Sequence, residues 1–348
     1  MSKSLSKHNL NSFKHLSSAL KKIQESHFEY AQKTINRALV SRNWFFGYYI
    51  VEFENGSATR KETYGKNLIL ELSKVLTGEG IKGCSVTNLK QCRNFYLAYP
   101  EIGRTVSDQS QGELINQFKL NWSHYIFLMS IKDKEERNFY EIECISENWS
   151  LRELKRQFDS SLYERLLVSK NDDKVKQLSK EGQVIASSKD IIKDPYILEF
   201  LNLSEKESYS ESDLESGIID KLEHFLLELG KGFLFEARQK RLSFEEEHFY
   251  VDLVFYNRLL RAYVLIDLKI GELKHQDLGQ MQMYVNYFDR FVKKDYENKT
   301  IGIVICKKKK DALVEITLPE DSNIHASEYR LYLPSKKQIK EQIENANH

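Results

Sequence analysis

The sequence predicts a helical N-terminal domain followed by an α/β domain built on a mixed sheet, and three observations carry that prediction. Apolar residues recur at three- and four-residue steps through much of the first 160 positions. From Phe233 onward, short runs rich in Val, Ile, Phe and Tyr replace that spacing. Between the two regions, residues 169–190 are polar and poor in aromatics, as a junction would be. A chain of 348 residues accommodates two domains at a typical ~100–200 residues each. The expected domains are therefore 1–180 and 191–348.

From Leu10 to about Val51 the pattern is helical, with Phe13, Leu16, Leu20 and Ile23 on one stripe expected to be buried. Asn55-Gly56 is a turn signal. A helix over about Lys66–Leu76 places Leu68, Leu72 and Val75 on one face. The glycine-rich stretch 77–84 follows, and Ser85 is a good N-cap for a helix ending near Tyr99, before Pro100. That order resembles a helix-turn-helix. Lys90, Arg93 and Asn94 would project from its second helix toward nucleic acid, with Leu89, Phe95 and Leu97 available for packing. An ordinary helical hairpin has the same pattern. Further helices are expected over about Trp122–Met129, Lys134–Glu147 and Leu151–Phe158, the last begun by a Ser150/Glu153 capping box.

In the second half, a helix over about Leu214–Leu229 ends at Gly230 and Gly232. Strands Phe233–Arg241, Phe249–Tyr256 and Ala262–Lys269 come next, then a helix over about Gln276–Phe291 and a strand Ile301–Cys306. Tyr329–Leu333 reads as a last short strand before a polar C-terminal helix. This order makes a compact core with helices against a mixed sheet.

Composition narrows the function classes. No apolar run reaches the roughly 18 residues of a membrane span, and the N-terminus lacks the apolar core of a signal peptide. The expectation is a cytoplasmic protein without a membrane partner or small-molecule cofactor. Cys84, Cys92, Cys144 and Cys306 have neither zinc-knuckle nor framework spacing, so they are expected to be buried free thiols. The net charge of +1 is unevenly spread: residues 1–190 carry 29 Lys+Arg against 23 Asp+Glu, the remainder 23 against 28. A basic front half suits a polyanionic partner, although a solvated surface has the same look.

The chemistry gathers on two strands. Asp252 interrupts the apolar run Tyr250-Val-Asp-Leu-Val-Phe-Tyr256, and Asp267 and Lys269 interrupt Val264-Leu-Ile-Asp-Leu-Lys269. Two residues apart, Asp267 and Lys269 share a strand face. Burying carboxylates on neighbouring strands is costly unless something neutralises them. A Mg²⁺ ion, commonly held by one or two carboxylates plus a phosphate, would do so. Turn formation by Asp252 and an exposed edge or simple salt bridge for Asp267 and Lys269 are the competing explanations. They fit poorly with runs that otherwise look buried on both faces.

Asp252 followed by Asp267-Leu-Lys269 resembles the D…(D/E)xK signature of the PD-(D/E)xK nuclease superfamily, whose restriction-endonuclease-like αβββαβ core matches the element order. The stretches Phe225-Leu-Leu-Glu-Leu-Gly-Lys-Gly-Phe233, Phe249-Tyr-Val-Asp-Leu-Val-Phe-Tyr256 and Gly279-Gln-Met-Gln-Met-Tyr-Val-Asn-Tyr-Phe-Asp289 are similar to the YhcG family of bacterial nuclease-domain proteins. The first half resembles that family's N-terminal domain, through Asp133-Lys-Glu-Glu-Arg137 and Glu147-Asn-Trp-Ser150. The resemblance implies a metal-dependent nuclease using Mg²⁺ or Mn²⁺ and acting on nucleic acid, with DNA favoured. It implies Asp252 and Asp267 as metal ligands, Lys269 as the catalytic lysine and Glu228 as the superfamily's helical acid, also at the metal. Glu223 is a rival for that last role and Glu236 a weaker one. Gln280 and Tyr284 match the Q-x-x-x-Y spacing of several superfamily members, with Gln282 an alternative to Gln280. Val251 stands where the eponymous proline would be, and Asp267 where glutamate is common.

A non-catalytic nucleic-acid-binding or assembly module on a nuclease scaffold is the alternative from another class. A ribonuclease and a junction resolvase share the same metal chemistry. The last would need a homodimer, which the apolar N-terminal helices could supply.

Overall fold

The computed structural model describes residues 13–56, 67–104, 115–168, 172–203, 209–244, 246–319, 321–333 and 338. Two compact units divide the chain, Met1–Lys132 and Asp133–His348.

The first unit is helical. Helix α1 (Phe13–Asn55) runs for 43 residues and buries Val40, Trp44, Ile50 and Val51. Helix α3 (Val86–Ala98) lies against that half and contributes Leu89, Cys92 and Phe95 to the core. Gly47 sets the approach: a Cβ there would sit 2.0 Å from the Cys92 carbonyl oxygen, so only glycine allows the two backbones this close. Of the stripe expected to be buried near the start of α1, Leu20 and Ile23 are 57% and 55% exposed, and the side chains of Phe13 and Leu16 lie outside those described. Periodicity reports an apolar face, whereas burial needs a packing partner, and the burial begins only near Val40.

Helix α2 (Leu68–Gly78) precedes a turn in which Gly80 and Gly83 take φ of +76° and +81°. Ser85 then caps α3, its side chain accepting from the Asn88 N–H at 3.2 Å. Leu68 is buried and Leu72 half-buried, but Val75 is exposed. Helix α4 (Trp122–Leu128) is tied to α3 by a 2.9 Å bond from Trp122 Nε1 to Asn88 Oδ1.

The second unit opens with helices α5 (Lys134–Ser146), α6 (Leu151–Asp159), α7 (Leu162–Val168) and α8 (Asp172–Glu181). The Ser150/Glu153 capping box is formed in both directions. A six-stranded sheet follows: β1 (Tyr196–Ile197), β2 (Phe233–Phe244), β3 (Glu247–Asn257), β4 (Ala262–Glu272), β5 (Ile301–Lys308) and β6 (Ile324–Arg330). Its order is β1-β6-β5-β4-β3-β2. β2, β3 and β4 form an antiparallel meander, while β5 runs parallel to β4 and to β6.

The helix expected over Leu214–Leu229 is two helices, α9 (Glu211–Asp220) and α10 (Leu222–Leu229). Lys221, at φ −122° and ψ 37°, leaves the helical region between them. The last strand lies earlier than expected, and apart from Gln338, which is helical, the expected C-terminal helix lies outside the described residues.

Alternation along the central strands sorts the core. Ile266 and Leu268 bury on one face with Leu214 and Ile218 of α9 and Phe225 of α10. Leu265 and Val304 bury on the other with Met281, Tyr284 and Val285 of α11 (His275–Tyr287). A Cβ on Gly302 would meet Met281 Cγ at 2.6 Å, so glycine in β5 lets α11 lie flat on the sheet. Helix α12 (Asp311–Thr317) joins β5 to β6. Among the described residues no helix is long and apolar enough to cross a membrane.

Candidate active site

The β3–β4 ladder runs from Asn257↔Ala262 to Leu253↔Ile266 and stops there. Where it stops, the Asp252 side chain enters the gap and its Oδ2 accepts from the Leu268 N–H at 2.8 Å. Asp267, next along β4, is nearly fully buried. Lys269 Nζ lies 2.8 Å from Asp267 Oδ2 and 3.8 Å from Glu211 Oε2. The structure thus brings Asp252, Asp267 and Lys269 together at one end of the central strands.

Charge at this centre is unbalanced. Burial pushes the Asp267 carboxyl up to about 7, and the Asp252 carboxylate adds to the shift by its charge and by accepting a hydrogen bond from the protonated form. Lys269 only partly offsets this. Burial opposes its own charge, yet the Asp267 carboxylate holds its pKa above the usual value. Asp267 Oδ2 is buried without a well-directed hydrogen bond.

Those features fit a divalent cation, which would neutralise both carboxylates and give Asp267 Oδ2 a ligand bond beside its ion pair with Lys269. No cluster of three or more His, Cys, Asp or Glu at metal-holding distance occurs among the described residues. Mg²⁺ asks for less than that, since it keeps several waters and commonly takes one or two protein carboxylates.

Gln280 and Tyr284 stand beside this centre on α11. The Gln280 amide donates to Tyr284 Oη, which donates to the Tyr250 carbonyl at 2.9 Å. Burial and then the Asp267 charge push the Tyr284 hydroxyl up to about 12, so it remains a donor. Gln282 instead bonds to Asn286 at 3.1 Å on an exposed face.

Glu228 is elsewhere, and its expected role at the metal is corrected by its partners. With a side chain 0% exposed, it receives Arg165 Nη1 at 2.6 Å and Arg156 Nη1 at 3.2 Å, and the Ile197 N–H at 3.0 Å. Lys193 Nζ donates to its backbone carbonyl. Burial alone would raise its pKa, but Arg165, Lys193 and Arg156 hold it down at about 2. A carboxylate neutralised by two guanidinium groups has no lone pair or charge to offer a metal. It ties α6 and α7 to α10 and β1, which is why residues 133–181 belong to the same compact unit as the sheet. Glu223 and Glu236 are both exposed.

The acids near the centre come from α9, one helix earlier. Glu211 faces Lys269, and Glu215 is buried and accepts from Arg238 Nε at 3.0 Å and from Gln239 Nε2 at 2.7 Å. Gln239 Nε2 also donates to Asp252 Oδ1 at 3.0 Å. Sequence reading missed Glu211 because it began this helix at Leu214, and it passed over Glu215, inside the expected helix, for the later Glu228. Ser210 and Asp213, which form a capping box, were the available signal for an earlier start. In the first unit, Lys90 and Asn94 are exposed on α3, while Arg93 is paired with Glu54 at 2.8 Å.

Comparison with known proteins identifies the family. Residues 189–344 match the family model described as YhcG PDDEXK nuclease domain, and residues 3–165 match the DUF1016 N-terminal domain. An Escherichia coli (strain K12) protein described as "Putative nuclease YhcG" is 36% identical over 333 residues, 89% of this chain and 88% of that one. Among solved structures, a repair endonuclease from Pyrococcus abyssi matches with a TM-score of 0.25 and 17% identity, over 38% of this chain and 50% of that one. An EndoMS–dsDNA complex matches with a TM-score of 0.25 and 15% identity, over 38% and 51%. This chain therefore spans about half the length of those two structures. By the 36% identity across nearly the whole chain and by the nuclease-domain match over 189–344, the chain belongs to the YhcG family of PDDEXK nucleases.

Proposed function

We propose that this chain is a Mg²⁺-dependent endonuclease that hydrolyses phosphodiester bonds in DNA, with Mn²⁺ able to replace Mg²⁺. The observation that carries the reading is the Asp252–Asp267 pair, half-buried and buried respectively, short of positive charge and flanked by Lys269. Asp252 and Asp267 would hold the cation, with Glu215 from α9 beside them in place of Glu228. A bound divalent cation polarises the scissile phosphate and lowers the pKa of an attacking water. Lys269 stays protonated beside Asp267 and stabilises charge as it develops on the phosphate oxygens. Gln280 and Tyr284 fix the Asp252 strand through the Tyr250 carbonyl.

The N-terminal domain would hold the DNA backbone through Lys90 and Asn94, with Arg93 contributing once it leaves Glu54. A homodimer would form through the exposed face of α1 that carries Leu20 and Ile23. The cytoplasm is the expected location.

The test is cleavage of linear, supercoiled and branched DNA, and of RNA, with Mg²⁺ or Mn²⁺, by wild type, Asp267→Ala and Lys269→Ala. Loss of one stabilising group of this kind costs about 10²–10³-fold in rate. Cutting that survives both substitutions, or that needs no cation, would sink the reading. RNA cut in preference to DNA would replace the substrate assignment alone.

A further inference from the structure

A side chain outside the sequence motif connects the two acidic elements of the site. Gln239 lies opposite Asp252 in the β2–β3 register, between Arg238↔Leu253 and Lys240↔Val251. Its amide nitrogen donates to Asp252 Oδ1 at 3.0 Å and to Glu215 Oε2 at 2.7 Å. One atom thereby limits the separation of two carboxylate oxygens from different elements, β3 and α9, to no more than 5.7 Å, the sum of the two bonds. The backbone of Gln239 has φ +46°, in a region that non-glycine residues seldom adopt. Such conformations persist where the surroundings impose them, and they cluster at functional sites.

We propose that Gln239 is a positioning residue: its amide draws the Glu215 and Asp252 carboxylates together so that both face one divalent cation. The inference rests on the metal reading given above and deepens it. An amide suits the task because it donates to both carboxylates without adding a charge. A lysine here would neutralise the acids and compete with the cation, and an acid would repel them. Asp252 is then oriented by two N–H donors, Gln239 on Oδ1 and Leu268 on Oδ2. Neighbours that orient metal-ligating carboxylates typically contribute about 10–100-fold to metal affinity.

Gln239→Gly separates the side chain from its backbone, since glycine takes positive φ without cost. The measurement is Mn²⁺ binding to the full chain by titration calorimetry, with thermal unfolding of the same samples. The expected result is a melting temperature equal to or above wild type and Mn²⁺ affinity about 10–100-fold lower. Gln239→Asn keeps an amide and tolerates this backbone, but it is one methylene too short to reach both acids. It should lose affinity too, and it serves if the glycine variant does not fold. Glu215→Gln combined with Gln239→Gly should lose less than the two single losses together, as expected of groups acting through one contact. Mn²⁺ affinity within twofold of wild type in a folded Gly or Asn variant overturns the proposal, and so does strict additivity. Asp267→Ala separates the two failures. If wild type shows no Asp267-dependent Mn²⁺ binding, the metal reading fails and takes this proposal with it.

Discussion

Two buried acidic centres in one compact unit have opposite electrostatic designs. At Glu228, two guanidinium groups and a backbone N–H surround a single carboxylate, and its pKa falls to about 2. At Asp267, a second carboxylate and one lysine share the space, and its pKa climbs to about 7. Burial penalises both acids alike, so the difference lies in how many positive partners the fold supplies. A centre already neutral inside the protein is a structural tie. One that stays short of positive charge is arranged to receive it from a cation. Burial and proximity to the motif do not separate these cases, but the charge balance does.

The largest effect that could break this comparison is at Glu228. Glu228→Gln leaves Arg165 buried without its counter-charge, while Arg156 keeps Glu199, and breaking a buried pair typically costs about 3–5 kcal/mol. A urea-unfolding midpoint close to wild type, together with lost Mn²⁺ binding, would return Glu228 to the metal site.

Opposite responses to pH sharpen it further. Glu228 has a folded pKa below its ordinary 4.5, so its stabilisation is present above pH 4.5 and is lost as pH falls toward about 2. Asp267 is raised from 3.8 to about 7, so ionising it costs the metal-free fold stability as pH rises from about 4 through 7. In chelator, Asp267→Asn should therefore match wild type near pH 4 and exceed it by roughly 1–3 kcal/mol at pH 8. Equal stability of the two proteins at pH 8 would show that Asp267 is not strained by its surroundings.

The smallest effect concerns the first unit, where exposed Lys90 should act through solvent-screened charge alone. Lys90→Ala should weaken DNA binding uniformly across sequences and reduce the slope of log affinity against log salt by about 0.9. An unchanged slope would remove Lys90 from the interface.

Much of the site was legible in sequence because a strand's period of two is strict. Asp267 and Lys269 had to share a face, and polar residues in doubly buried runs had to be explained. The acid from the helix was not legible in the same way. Glu228 and Glu215 both lie on helices before β2, and only tertiary structure shows that Arg156 and Arg165, more than 60 residues earlier, reach the first and not the second. Gln239 left no sequence signal, since its role depends on a left-handed backbone and on two partners from separate elements. Leu20 and Ile23 show the converse, a clear periodic stripe that the described fold leaves exposed.

The gap that Asp252 fills between β3 and β4 has a practical consequence for anyone seeking an inactive form of this enzyme. Its carboxylate replaces a missing strand carbonyl for the Leu268 N–H. Truncation to alanine would strand that amide in the interior, a loss of about 1–3 kcal/mol unrelated to chemistry. An Asp252→Ala protein would confound misfolding with inactivity. Asp252→Asn retains an acceptor oxygen, and Asp267→Asn relieves repulsion, so these are the substitutions that can trap an uncut substrate on an intact scaffold.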